Sequence, residues 1–394
     1  MQPRKPAAAR LAAAGASLAA LGLGALTSQL PALLLPAAGA AFSRLGPGHA
    51  QLRPGSHVSV AFVVNSTSAS VTPINTITRH VYAAITVGAD PDAIAMMPNG
   101  RTAFVANGGS GTVTPIDTST RKARPSIKVG TDPDAMAMTP NGRTLYVANA
   151  GSNTVTPIDT ATDTAGSPIP VGAYPAAIAL TPNGRTAYVL DWQGGAVTPI
   201  GTATNEPGRP IAVGSYPFAV AITPDGGTAY VADYGSDTVT PIATAKNAPG
   251  AAIRVGAAPD ALAVTPDGKT VYVVNSDSDT VTPIETTTDR PLEPIRVGYS
   301  PASVIIDTSG ATAYVANTIS GTVTPIETAT DRAEDPISVG LYSYPLVLAL
   351  APTGKTAFVL DNYAGMVTPI ELAAKHALAP IAVGGYPVAI AFGR

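Results

Sequence analysis

A chain of 394 residues, 45% hydrophobic and only 12% charged, has enough apolar content to bury a large core, which excludes general disorder. Its formal net charge of −3 supplies no basic stripe, so no nucleic-acid partner is expected. Cysteine is absent, which excludes disulfides, thiolate metal sites and lipid attachment at a cleavage-site cysteine.

Residues 1–40 differ from the rest. Arg4, Lys5 and Arg10 precede a charge-free stretch rich in Ala and Leu, from Leu11 to Ser43. This reads as a secretory signal, with Ala38-Gly39-Ala40 supplying the small residues of a cleavage site after Ala40. The alternative is an uncleaved anchor, since about 20 apolar residues span a bilayer; Pro31 and Pro36 weigh against it by interrupting a continuous helix. Any membrane contact is expected through this segment alone. Cleavage would leave 20 basic against 26 acidic residues, a net charge of −6. Residues 41–57, with Pro47, Gly48, Pro54 and Gly55, read as an irregular connector.

From residue 58 to 394 the sequence is periodic. The word Val-Thr-Pro-Ile begins at Val71, Val113, Val155, Val197, Val239, Val281, Val323 and Val367, spaced 42 residues six times and 44 once. A fixed period of this length marks propeller blades. In the unit beginning at Asp134, AMAMT is a first strand, Pro140-Asn141-Gly142 a turn, TLYVAN a second strand, TVTPI a third and PIPVG a short fourth. Four strands in 42 residues leave no room for crossover helices, so the sheets are antiparallel meanders. The first two strands are apolar at almost every position, as expected when both faces of a sheet are covered by neighbours.

The chain enters at a second-strand segment, VAFVVN from Val60, and ends at a first-strand segment, VAIAF from Val388. The expected architecture is therefore all-β: an eight-bladed β-propeller of four-stranded antiparallel blades. Its ring is closed by three N-terminal strands plus one C-terminal strand, which hides sheet edges.

The second strands Phe104-Val105-Ala106-Asn107, Tyr146-Val147-Ala148-Asn149, Tyr272-Val273-Val274-Asn275 and Tyr314-Val315-Ala316-Asn317, with a Val-Gly-x-x-Pro entry to each blade, resemble the YVTN family of β-propeller repeats over Val58 to Phe392. The resemblance implies a secreted or surface-exposed propeller, as in archaeal surface-layer proteins and related bacterial exported proteins. Three features depart from the family. The third position of its word is Ala, Val or Leu instead of Thr, the count is eight blades where seven are common, and every third strand carries a proline. Proline cannot donate to a ladder, so each proline nitrogen is expected to face the short fourth strand.

The mouth of the ring where second strands end and first strands begin is the expected ligand face. Tyrosine at the blade entry accompanies aspartate at the end of the second strand with an aromatic residue nearby: Tyr174 with Asp191 and Trp192, Tyr216 with Asp233 and Tyr234, and Tyr344 with Asp361 and Tyr363. Elsewhere Asp90, Asp132, Ala258 or Ser300 accompanies asparagine, and the closing blade pairs Tyr386 with Asn65. A phenol facing a carboxylate can donate to it, so tyrosine-to-aspartate bonds are expected, with two opposed aromatic patches on the mouth. The nine residues of the three tyrosine-entry blades, together with Tyr386, are the ligand-binding candidates. The competing reading makes the pattern a relic of an internal duplication.

Catalytic signals are weak. His49 and His57 precede or open the array, and His80 and His376 fall in third-to-fourth-strand connections at the other end. The recurring Ser110, Ser152, Ser236 and Ser320 read as turn residues, Ser276-Asp277-Ser278-Asp279 as a solvated turn lacking calcium-loop spacing, and Gly108-Gly109-Ser110-Gly111 lacks the following helix of a phosphate cradle. No catalytic residue, cofactor or metal is expected. Two functions remain. One is an exported or cell-surface, monomeric binding or scaffold module for a glycan, peptide or surface protein. The other is a lactonase-like hydrolase or lyase with an acidic site at the same mouth.

Overall fold

The computed structural model describes residues 59–340 and 345–393. The expected signal and connector, His49, His57 and Tyr344 lie outside the described residues. Every element among those described is a strand, and they form eight antiparallel sheets. The innermost strands are Pro91–Met96, Pro133–Met138, Pro175–Leu180, Pro217–Ile222, Pro259–Val264, Pro301–Ile306 and Pro345–Leu350 for blades 1 to 7. The eighth, closing blade joins Pro387–Gly393 to Val60–Asn65, Ser70–Asn75 and Ile85–Thr86. Both ends of the array therefore complete one sheet, as the sequence predicts.

The apolar strands bury their side chains between blades. One cluster joins Ala177 and Tyr188 of blade 3 to Val220 and Val231 of blade 4, and another joins Val60, Phe62 and Val388 of the closing blade to Ile94 and Val105 of blade 1. Eight such clusters occupy the junctions of the ring. Small inner residues such as Ala135, Ala177 and Ala219, all buried, let neighbouring sheets approach where they converge.

The outer strand differs from the expected single segment. In the seven complete blades it is broken in two: Thr164–Ala165 pairs with one end of Thr154–Asp159, and Ile169–Pro170 pairs with the other. The break falls opposite the third-strand proline. Pro157 O accepts from Gly166 N at 2.7 Å, and because a strand residue's nitrogen and carbonyl face the same side, the proline nitrogen faces the gap. The same bond to the proline carbonyl recurs in all eight blades, from Tyr82 N to Pro73 through to Leu378 N to Pro369. The ladder to the second strand stays unbroken, with Tyr146 opposite Pro157.

At the end opposite the mouth, adjacent blades are clasped by side chains. The second-strand tyrosine reaches the next blade's third-to-fourth loop: Tyr146 Oη donates to Asn205 Oδ1 at 2.6 Å, Tyr188 to Asn247 at 2.6 Å, Tyr230 to Asp289 at 2.7 Å and Tyr272 to Asp331 at 2.6 Å. Blade 1 has Phe104 in that position, and Asp163 of blade 2 is held instead by Arg124 at 3.2 Å. At the junction of blades 6 and 7 the ion pair recurs with reversed sign, Glu334 with Lys375. Between the closing blade and blade 1, Arg121 lies 4.2 Å over the Tyr82 ring, a cation–π contact.

Candidate functional site

The mouth is built from two loops per blade that hold each other through backbone bonds. Among the described residues, the one before each entry proline has left-handed backbone: φ is 56° at Tyr174, 52° at Tyr216, 58° at Tyr386, 47° at Asp90, 55° at Asp132, 54° at Ala258 and 50° at Ser300. Non-glycine residues adopt this region at a cost of about 1–2 kcal/mol, so the surroundings must over-determine it. They do: Trp192 N donates to Tyr174 O at 3.0 Å and Tyr234 N to Tyr216 O at 3.1 Å. The preceding blade adds a clamp, Asn153 Oδ1 accepting from Tyr174 N at 2.9 Å and Asp237 Oδ1 from Ala258 N at 2.9 Å. Entry side chains are thus presented from a fixed backbone.

In blades 3 and 4 the expected tyrosine-to-aspartate pairing is replaced by a different bond. Asp191 Oδ2 accepts from Thr198 Oγ1 at 2.6 Å, and Asp233 Oδ2 from Thr240 Oγ1 at 2.6 Å and Thr238 Oγ1 at 3.2 Å. Both carboxylates are fully buried, and burial pushes each up to about 6 against the opposing pull of threonine hydroxyls and a glycine N–H. Asn149 fills the same place in blade 2, its Nδ2 donating to Thr156 Oγ1 at 2.9 Å and its Oδ1 accepting from Gly130 N at 3.1 Å. The position is a tie between strands, whichever of the two residues occupies it. Asp361 Oδ1 accepts from Ala364 N at 3.0 Å inside its own turn. The physical reason is reach: the side chain ending the second strand lies beside the third-strand threonine, whereas the entry ring turns outward.

What the structure brings together is the aromatic set of blades 3 and 4. Trp192 lies between two entry tyrosines, with ring centroids 5.5 Å from Tyr174 and 4.8 Å from Tyr216, both tilted. Such offset contacts add about 0.5–1.5 kcal/mol beyond burial. Tyr216 is 47% exposed, and it lies so close over Gly235 that a Cβ there would stand 2.5 Å from its ring. Phe218 and Tyr234 continue the set at 6.0 Å. Burial pushes the Tyr234 phenol up to about 12, helped by the carboxylates of Asp277, Asp260 and Asp237. The strip therefore ends among acidic groups.

On the opposite side of the ring, Tyr363 is 61% exposed. Tyr386 instead packs against the core between the closing blade and blade 1, and burial raises its phenol. Sequence reasoning missed Phe218 and Asp260, which follow the entry proline where the inner strand bulges. Their signal was the variable residue after an invariant proline. Asp260 is held well above the usual carboxylate range by burial, with Asp277 adding to it, and its Oδ1 is buried without a hydrogen-bond partner. Tyr299 and Ile319, 66% and 50% exposed, form a further apolar point on blade 6, joined by Ile319 N to Tyr299 O at 3.2 Å.

The recurring serines tie the loops together: Ala89 N donates to Ser110 Oγ at 2.7 Å, Thr131 N to Ser152 at 3.1 Å, Ser215 N to Ser236 at 2.6 Å and Tyr299 N to Ser320 at 2.7 Å. The Ser276–Asp279 turn does the same, Ser278 Oγ accepting from Ala257 N at 2.6 Å and Asp279 Oδ1 from Ser300 N at 2.8 Å. Among the described residues, no group of three or more His, Asp or Glu side chains is arranged to hold a metal ion.

The fold and the mouth define an eight-bladed all-β propeller. No protein-family model and no curated protein sequence matches the chain. Among solved structures it is similar to Kuenenia stuttgartiensis hydrazine synthase at 26% identity, covering 73% of this chain and 97% of that one with a TM-score of 0.59. The dihydro-heme d1 dehydrogenase NirN, solved in complex with DHE, shares 15% identity over 93% of this chain and 79% of its own, TM-score 0.75. Apo AztD from Citrobacter koseri shares 14% over 86% and 99%, TM-score 0.66. The last two likenesses are likenesses of fold.

Proposed function

We infer that the chain is an exported or cell-surface propeller of the YVTN-repeat type that acts as a non-enzymatic binding or scaffold module, engaging its partner on the mouth face. The observation that carries this reading is the Tyr174–Trp192–Tyr216 strip: three aromatic rings from two blades, in mutual contact and partly open to solvent. Rigid aromatic side chains on an open rim supply contact area at low entropic cost, which suits a glycan, a peptide or a surface protein. Export rests on the N-terminal signal pattern and on the repeat resemblance. The candidate set is Tyr174, Asp191, Trp192, Tyr216, Asp233, Tyr234, Tyr344, Asp361, Tyr363 and Tyr386. Within it the aspartates of blades 3 and 4 serve by fixing the loops from beneath.

Trp192 is the only tryptophan, so its fluorescence reports on this strip alone. Titration with soluble cell-envelope glycans and with peptides should shift its emission. Tyr174→Ala and Tyr216→Ala should each weaken whatever binds by about tenfold. Binding that both variants leave unchanged would dispose of the rim as the site.

A further inference from the structure

The charge on this chain is segregated in a way its net value hides. The loops of the mouth are the fourth-to-first and second-to-third connections of every blade. Among the described residues they contain Asp90, Asp132, Asp237, Asp277 and Asp279, and no Lys, Arg or His. Basic side chains lie outside these loops: Arg101, Arg143 and Arg185 in the first-to-second turns, Arg124, Arg209 and Lys375 in or beside the third-to-fourth connections, and Lys128, Arg254 and Arg296 on the outer strands, where they border the mouth at its outer edge. The loops inside that edge carry charge of one sign only, and such a cluster draws partners of the opposite sign. The aromatic strip lies among these acidic loops, and its blade 4 end is the Tyr234 ring beside Asp237, Asp260 and Asp277.

Resting on the reading of the rim as a binding surface, we propose that its partner is an arginine-rich polypeptide segment lying across blades 3 to 5. Its guanidinium groups would stack on Trp192 and Tyr216 and meet the carboxylates of Asp237 and Asp277. Arginine fits better than lysine because a planar guanidinium covers an aromatic face and forks onto carboxylates. The strip is an open platform, with Tyr216 nearly half exposed, so an extended chain fits it better than a small caged cation.

The test is fluorescence anisotropy of a labelled oligoarginine peptide with the full chain, alongside Trp192 emission. Oligoglutamate and a neutral glucan oligosaccharide are the other probes. Oligoarginine should bind, weaken steeply with added salt, and shift Trp192 emission. Asp237→Asn with Asp277→Asn should weaken it roughly fivefold, and Trp192→Ala by a similar factor. The asparagine at 237 keeps the fold because Asn153 makes the matching loop bond in blade 2. Absence of oligoarginine binding, or binding that neither the aspartate pair nor Trp192→Ala alters, overturns the proposal. A Trp192 response to the glucan alone also overturns it while upholding the rim as a binding surface. Arginine binding that survives Trp192→Ala but not the charge change overturns both.

Discussion

At the residue scale, the end of the second strand shows how one place in a repeat tolerates two chemistries. Asparagine donates to the third-strand threonine and accepts from the entry glycine, whereas aspartate can only accept, so Thr198 and Thr240 turn their hydroxyls to donate. The acidic version has a cost. Asp191 and Asp233 are pushed up to about 6 from 3.8, chiefly by burial. An acid whose folded pKa is raised stabilises the fold fully below its unfolded pKa, and that contribution is lost as pH rises through the folded value. Thermal unfolding should therefore show these two positions favouring the fold near pH 4 and ceasing to do so above about pH 6. Replacing both by asparagine should raise stability at pH 7 by about 1–3 kcal/mol per site and flatten the pH slope relative to the parent. An unaltered slope in the double variant would show that burial does not penalise these carboxylates.

At the element scale, the blades are joined by apolar side chains within, by loop clamps at the mouth and, at seven junctions, by polar clasps at the end away from it. The clasps vary in kind while serving one junction each: tyrosine to asparagine or aspartate, arginine to aspartate, glutamate to lysine, arginine on tyrosine. Tyr188→Phe should cost about 1 kcal/mol, the net worth of a hydrogen bond whose loss leaves Asn247 without that donor. Chemical denaturation with an unchanged slope would measure it. Phe104→Tyr should recover little, because Asp163 already has Arg124. The third-strand prolines were legible as ladder interruptions, and their nitrogens face the break in the outer strand as that reading requires. The two-piece outer strand was not legible, because two-residue pairings leave almost no hydrophobic pattern.

At the scale of the whole molecule, the ring depends on its last strand. Pro387–Gly393 pairs with Val60–Asn65 and buries Val388, Ala389, Ile390 and Ala391. Removing it leaves an open sheet edge and two uncovered blade faces, a template for association. A chain ending at Gly385 should lose cooperative unfolding and elute as aggregates in size-exclusion chromatography. A monomer melting like the parent would show that the seven complete blades stand alone. The blade count, the meander and this closure were all readable because burial on both faces forces each strand to repeat nearly the same apolar word, and the period counts the words.

The sequence by itself determined the ring: its eight repeats, its antiparallel strands, its shared closing blade and the mouth on which tyrosine and tryptophan gather. Only the tertiary structure decided what those residues do there. The correlation of Tyr174 with Asp191 looked like a bond between the two, yet the carboxylate is tied to Thr198 and the ring stacks on Trp192, which also meets Tyr216 from the next blade. Periodicity records which residues share a blade and a loop. Which rings touch across a junction depends on the left-handed entry backbone and on how closely neighbouring blades pack, and these are set by contacts between repeats, outside the pattern of any one of them.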